Sequence, residues 1–219
     1  MNIGVATLVA GDGYEKAVSL AIQTKQDYCA LHGYDLVVGK EFDRSRPIPW
    51  SKIPLLQKIL PKYDLVFWSD ADAMVVNYDI SLNRFFHDFL NSDKKMLTTL
   101  DAAGNINTGN FLIRNSPWSF EFLGRIWEQE QFTNHGWWEN MAFIHLLETD
   151  PEVRRQVTIV QNRQLPFNSY PHHNDYREGD FIVHFAGVHD LHELELLVAR
   201  FYKDCRPKSQ EFEFIPSSL

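Results

Sequence analysis

Residues 65–72 read Leu-Val-Phe-Trp-Ser-Asp-Ala-Asp, an unbroken apolar run that ends in two carboxylates one residue apart. Four large apolar residues in succession fit a central strand covered on both faces, so the chain must supply layers above and below a sheet. The N-terminal stretch supplies the start of that sheet. Residues 3–9 form a β-branched apolar run broken by Gly11-Asp12-Gly13. Apolar residues at 14, 17, 18, 21, 22, 28, 29 and 31 then mark one face of a helix over 14–31, with Gly33 as its stop and 34–38 as a second strand. Strand, helix and strand of these lengths make a βαβ unit with a right-handed crossover, hence a parallel sheet.

The remaining pattern continues the alternation. A helix is predicted over 50–60, with Pro54 in its first turn and Pro61 just beyond its end. Residues 81–90 read as a helix, and 96–100 and 111–113 as strands. Ser116-Pro117 reads as an N-cap followed by proline at the first helical position, opening a helix to about 130. Helices over 138–148 and 191–201, strands over 157–160 and 181–185, and a tail from 207 complete the reading. No repeat or linker divides the 219 residues, so one α/β domain over 1–219 is expected, Rossmann-like, with a mostly parallel sheet flanked by helices.

The Asp70-Ala71-Asp72 step lies where ligands bind in such folds, at the end of a buried strand. Two like charges this close resist ionising together unless a cation lies between them. Carboxylate oxygens suit hard ions, so Mg²⁺ or Mn²⁺ is expected, with phosphate oxygens completing its shell. The alternative for the pair is a turn or helix cap with solvated aspartates. The charge balance agrees with a metal: 21 Lys+Arg against 29 Asp+Glu give −8, which argues against a nucleic-acid partner. An acidic chain that handles a phosphorylated ligand recruits a cation to do so. Two chemistries use such a pair. One is an aspartyl-nucleophile phosphatase, which wants Thr or Val two residues after the second Asp and an early place in the chain; Met74 and a long preceding α/β segment speak against it. The other is transfer of a sugar from a nucleotide diphosphate, with the metal stabilising the leaving group.

Beyond this point the sequence resembles glycosyltransferase family 34, which includes fungal α-galactosyltransferases, subunits of the fungal α-mannosyltransferase complex and plant xyloglucan xylosyltransferases. Four blocks carry the resemblance in family order. They are Trp50-Ser51-Lys52 with residues 63–73, residues 107–118 (Asn-Thr-Gly-Asn-Phe-Leu-Ile-Arg-Asn-Ser-Pro-Trp), residues 138–142 (Trp-Glu-Asn-Met-Ala) and His184-Phe185-Ala186-Gly187. The resemblance implies a GT-A fold with a mixed sheet, a divalent cation (Mn²⁺ by preference, or Mg²⁺), a UDP-sugar donor, a glycan acceptor and retention of anomeric configuration.

Carried over by position, the resemblance makes Asp70, Asp72 and His184 the metal ligands, with Ala71 and Gly187 lining the donor site. Asn107 matches a sugar- or acceptor-contacting Asn; read by itself, Asn107-Thr108-Gly109 is equally an ordinary turn before a strand. Glu139 and Asn140 match the family's acidic-Gln step on the reactive face of the donor sugar. The family's Gln and Ser are replaced here by Asn140 and Met141, and Asn140 is one methylene shorter. An amide carbonyl there would stabilise an oxocarbenium ion, and Glu139 would bind sugar hydroxyls; both equally suit the opening turn of a helix. His189 stands where xylosyltransferase-like members carry a Lys that contacts the diphosphate, and replaces that charge only when protonated.

Weaker candidates complete the set. Thr7 and Leu8 end the first strand and are candidates for the uridine pocket, and Lys52 for the nucleotide or its phosphates. Trp137-Trp138 offer an acceptor-stacking surface, and His172-His173, in the loop 166–178, a lining for the acceptor cleft; His145 reads as a helix-face residue. Cys29 and Cys205 form neither a disulfide framework nor a zinc spacing. The first ten residues have no basic region and read as strand, not signal peptide, and no stretch has membrane-span length, so a cytoplasmic or otherwise soluble protein is expected. A chain near the size of a bare GT-A core leaves little for acceptor recognition, so specificity is expected to rest on the 166–178 loop and the C-terminal segment, or on a partner chain or further domain. A non-catalytic UDP-sugar- or glycan-binding module of a larger assembly is the competing reading.

Overall fold

The computed structural model describes residues 1–204; the expected tail from 207 and Cys205 lie outside the described residues. In chain order the elements are β1 (Ile3–Leu8), α1 (Asp12–Ala17), α2 (Ser19–His32), β2 (Asp35–Gly39), α3 (Lys52–Ile59), β3 (Leu65–Ser69), β4 (Ala73–Val75), α4 (Leu82–Phe85), α5 (His87–Leu90), β5 (Met96–Leu100), β6 (Ile106–Arg114), α6 (Pro117–Trp127), α7 (Trp138–Thr149), α8 (Pro151–Gln156), β7 (Val157–Val160), β8 (Ile182–His184) and α9 (Leu191–Asp204). Six strands form one sheet in the order β2-β1-β3-β6-β5-β7, and β4 pairs with β8 in a separate ribbon. The β1–β2, β1–β3 and β5–β7 pairs are parallel, whereas β6 runs antiparallel to both β3 and β5. The sheet is therefore mixed and mostly parallel, with β6 the one reversed strand.

Strand periodicity sorts the core. Val66 and Trp68 of β3, with Phe111 and Ile113 of β6, pack with Trp50, Leu56, Phe122 and Phe143 on the α3–α6–α7 face. Leu65, Phe67 and Leu112 point the other way, into Tyr28, Phe86, Phe167 and Phe181. A third cluster, with Val18, Ala71, Met74, Phe185 and Leu194, fills the space between the β4–β8 ribbon, α1, α2 and α9.

Several elements differ from the sequence reading. The helix expected over 14–31 is two helices that part at Val18 (φ −97°, ψ 3°), and Gly33 closes the second in left-handed geometry (φ 71°). The helix over 50–60 is α3 flanked by single 3₁₀ turns, because Pro49 and Pro61 begin new turns and cannot continue an α-helical ladder. Residues 81–90 break at Phe86. Ser116 caps α6 as expected, its hydroxyl accepting from Ser119 N, but α6 ends at Trp127. Two changes matter for the site. Asn107, Thr108 and Gly109 are not a turn: they belong to β6, which is nine residues long. The strand expected over 181–185 is β8, and it joins β4, not the main sheet.

Candidate active site

The site is built where β3 ends. Asp70 N donates to Gly109 O (2.7 Å), carrying the β3–β6 ladder one residue past the strand, and Ala73 N closes a turn onto Asp70 O (3.0 Å). Asp70 and Asp72 therefore flank one tight turn. β4 then pairs with β8 so that Ala73 lies opposite His184, and Phe185 N donates to Asp72 O (3.1 Å). This pairing delivers His184 to the aspartates: one ligand atom from each of Asp70, Asp72 and His184 lies within 4.8 Å of the others. His184 Nε2 is 3.3 Å from Asp72 Oδ1, and His184 Nδ1 is 2.8 Å from Asn168 Oδ1.

These residues fit a divalent cation. Two carboxylates and an imidazole are a hard-to-borderline donor set suited to Mn²⁺ or Mg²⁺. Trp68 Nε1 (2.7 Å) and Lys52 Nζ (3.2 Å) both take Asp70 Oδ1, so the second oxygen of Asp70 has no bond among the described residues. Burial opposes the charge on Asp72, and the His184 ring beside it, with Lys25 behind, holds its carboxyl below the usual range.

Lys52 is not a solvated charge. It is buried, its ammonium donating to Glu139 Oε1 (2.7 Å) and Thr108 O (3.0 Å) while it contacts Asp70. Burial alone would depress it, but Asp70 and Glu139 hold it above its ordinary value. Burial pushes the Glu139 carboxyl up, against the pull of Lys52, and Glu139 Oε2 is buried with no hydrogen-bond partner among the described residues. The ion pair borders a cavity of about 20 Å³ walled by Ile53, Phe111, Phe122 and Phe143.

The two asparagines singled out from sequence are used differently. Asn140 is spent on β6: its Oδ1 accepts from Thr108 N (2.9 Å) and Thr108 Oγ1 (2.8 Å), and its Nδ2 donates to Ile106 O (3.0 Å). Asn107 Oδ1 accepts from Gly109 N (2.9 Å) and Asn168 Nδ2 (3.1 Å), while its own NH₂ makes no bond among the described residues. Just before Glu139, Trp138 adopts a left-handed backbone (φ 43°), a costly conformation for an aromatic residue, and so sets how α7 enters the site.

Thr7 is fully buried near the end of β1, its hydroxyl without a hydrogen-bond partner among the described residues, and the Leu8 side chain belongs to the core. Ala71 is buried in the third cluster. Gly187 (φ 83°) and His189 are exposed, and no hydrogen bond among the described residues joins either to the metal ligands. His172 packs on the Tyr170 ring and bonds Ala186 O (3.0 Å) through Nε2, which puts the 3₁₀ turn Pro171–His173 beside β8. Trp137 is exposed.

Three residues escaped the sequence reading. Tyr14 of α1 lies at the aspartates, its phenol kept well above its ordinary value by burial and by Asp72 and Asp70. Lys25 of α2 is fully buried, donates to Ala73 O, and is pulled down to about 8 by burial against the opposing charges of Asp72 and Asp70. Asn168 is fully buried between His184 and Asn107. No spacing rule marks them; a buried Lys in a helix and an Asn in a Pro-rich loop look ordinary in sequence.

A mixed sheet with one reversed strand, an Asp-x-Asp turn at the end of a central strand and a histidine returned by a separate ribbon define the GT-A class of glycosyltransferase fold. A solved glycosyltransferase involved in glycosylation of the major capsid of PBCV-1 superposes with a TM-score of 0.71 at 16% identity, over 90% of this chain and 99% of that one. A Drosophila galactosyltransferase 7 variant, solved with manganese, UDP-Gal and xylobiose, superposes with a TM-score of 0.53 at 15% identity, over 85% of this chain and 72% of that one. The chain belongs to the galactosyl transferase GMA12/MNN10 family, whose model matches residues 5–93 and 87–194. An alpha-1,2-galactosyltransferase of Schizosaccharomyces pombe is 26% identical over 240 residues, covering 90% of this chain and 60% of the relative. The chain thus spans little more than half the length of such relatives. Family membership removes the phosphatase alternative. Among the described residues no helix is long and apolar enough to cross a membrane.

Proposed function

We propose that the chain is a single GT-A domain that transfers a sugar from a UDP-sugar to a glycan hydroxyl with retention of configuration, using a divalent cation, Mn²⁺ by preference. The observation that carries this reading is the convergence of Asp70, Asp72 and His184 on one point. The similarity to a galactosyltransferase solved with manganese and UDP-Gal supports the ion and the donor. When bound, the cation supplies Lewis-acid neutralisation of the diphosphate leaving group.

The chain's own residues hold the geometry. Lys52 and Trp68 fix one oxygen of Asp70 and leave the other for the cation. Tyr14, beside the aspartates, is assigned to the nucleoside end of the donor, and Thr7, fully buried behind β1's end, reaches the donor only if its cover moves. Asn107 presents its NH₂ as a donor to a sugar oxygen, because its carbonyl is already bonded twice. The unpartnered oxygen of Glu139 makes it, more than Asn140, the group that faces developing positive charge. Gly187 and His189, exposed after β8, close over the diphosphate only if that loop moves. Acceptor choice rests on the 166–178 loop, Trp137 and a partner chain or further domain.

Asp72→Ala is expected to abolish Mn²⁺-dependent UDP-sugar hydrolysis and transfer, and the Mn²⁺-dependent rise in melting temperature with UDP. For the wild type, UDP with Mn²⁺ at a hundredfold over Kd adds about 2.7 kcal/mol, roughly 5–10 °C for a chain of this size. A wild-type-like shift and turnover in the variant would refute the metal assignment. One observation favours a second reading: the Asn140 carboxamide is wholly consumed by β6. A non-catalytic module predicts the thermal shift without any donor hydrolysis in a panel of UDP-galactose, UDP-xylose, UDP-glucose and a mannose donor.

A further inference from the structure

We infer that Asn168 is a positioning residue for both halves of the site: its carbonyl holds His184 in the Nδ1–H form, and its NH₂ holds Asn107 so that the Asn107 NH₂ faces out. The inference rests on the reading of Asp70, Asp72 and His184 as a cation site.

The Gly109 main-chain N–H can only donate, and its partner at 2.9 Å is Asn107 Oδ1. That bond decides which end of the Asn107 carboxamide faces inward. The same oxygen is approached at 3.1 Å by Asn168, which must therefore present its NH₂ there and its carbonyl on the opposite side. The NH₂ also reaches Tyr170 Oη (2.6 Å). The carbonyl accepts from Asn110 Nδ2 (2.8 Å) and from His184 Nδ1 (2.8 Å). A carbonyl has no proton to give, so the His184 proton sits on Nδ1. Nε2 is left to face Asp72 Oδ1 at 3.3 Å. An imidazole nitrogen and a carboxylate oxygen in that relation call for a second ring proton or a metal ion between them.

The network is closed to water: Asn168, Asn110 and His184 are all buried. Partners of this kind fix the tautomer and ring orientation of metal-binding histidines. Here the orientation is inherited, through three hydrogen bonds, from a backbone amide of β6. The same carboxamide fixes the group that Asn107 presents, so the cation side and the sugar side share one support.

The test uses ring-nitrogen NMR of ¹⁵N-labelled, metal-free protein, with the His184 signal assigned by its loss in His184→Gln. Wild type is expected to show His184 protonated on Nδ1. Asn168→Leu is expected to lose that single form and to bind Mn²⁺, followed by the electron paramagnetic resonance of the free ion, about 10–100-fold more weakly. Asn168→Asp keeps an acceptor for His184 but offers no NH₂ to Asn107. It is expected to keep the Nδ1–H form and Mn²⁺ binding while donor turnover falls at least about tenfold. The inference is overturned if wild-type His184 is protonated only on Nε2, or if Asn168→Leu keeps both the Nδ1–H signal and an Mn²⁺ affinity within about twofold of wild type. Should Asn168→Leu fail to fold, Asn168→Asp decides alone, and loss of the Nδ1–H form there overturns it. If the Nδ1–H form is present in wild type and lost in Asn168→Leu while neither binds Mn²⁺, the positioning role stands and the cation reading fails.

Discussion

Gly109→Ala is expected to fold and yet lose the cation site. A Cβ at this position would lie 2.1 Å from His184 Cε1 and 2.9 Å from both His184 Nδ1 and Asn107 Oδ1. Neither partner can give way cheaply. His184 is buried, its Nδ1 is bonded to Asn168, and its backbone N donates to Ser169 O at 2.7 Å. Gly109 itself sits in β6, its carbonyl accepting from Asp70 N. The glycine is required by close approach, not by an unusual φ. Overpacking of this kind costs about 1–3 kcal/mol, or roughly 2–12 °C in melting temperature. The larger effect falls on function, because a displaced ring takes Nε2 away from Asp72. Mn²⁺ affinity should drop by at least about tenfold, as it does when a ligand's supporting groups are disturbed. Turnover should fall at least in proportion. Titration of Mn²⁺ into folded variant checks this, and an unchanged affinity would show that the ring tolerates the methyl group.

Lys52→Met should be the most destabilising single change at the site. It leaves Glu139 buried with no cation and removes a charge partner of Asp70. Breaking a buried pair by removing one member typically costs about 3–5 kcal/mol. Replacing both members by apolar groups is often neutral, so Lys52→Met/Glu139→Leu should recover most of the loss. Denaturant unfolding of both singles and the double completes the cycle, and strict additivity would show that the two residues do not act as a pair. The pH dependence has a definite sign. Lys52 is held above its ordinary value, so its contribution is complete below the unfolded-state pKa of about 10.4 and is lost only as pH rises through the higher folded value. Lys52 itself therefore adds no pH dependence between about pH 7 and about pH 9, and any growth of the Lys52→Met penalty across that range reports ionisation of the uncompensated, buried Glu139.

The strand that carries Asp70 and Asp72 was legible because burial on both faces leaves an unbroken apolar run, and a charge pair after it has few structural excuses. His184 was reached only through the family resemblance: an isolated histidine between Val183 and Phe185 has the local character of core. β4 was invisible, since Ala73–Val75 is three residues long and its partner lies far along the chain. Asn107-Thr108-Gly109 has turn composition yet forms strand, because Asn140 pairs with its backbone in place of a neighbouring strand on that side. Lys52 was a candidate for the nucleotide, but its ion pairs were not legible, because its two acidic partners come from the turn after β3 and from α7, and no sequence window contains all three. Asn168 was missed for the same reason, its four side-chain partners coming from β6, β8 and its own loop.

The β4–β8 ribbon has a kinetic consequence. It joins Ala73 to His184, residues about half the chain apart, so the last ligand reaches the aspartates only when nearly all of the described chain has found its place. Contacts this distant are slow to form, because loop closure must be completed before they stabilise anything. An interaction made after the folding barrier acts on the unfolding rate alone. Mn²⁺ should therefore lengthen the lifetime of the native state in stopped-flow unfolding while leaving the refolding rate unchanged, and a nascent chain that ends before Ile182 should carry both aspartates without holding the ion.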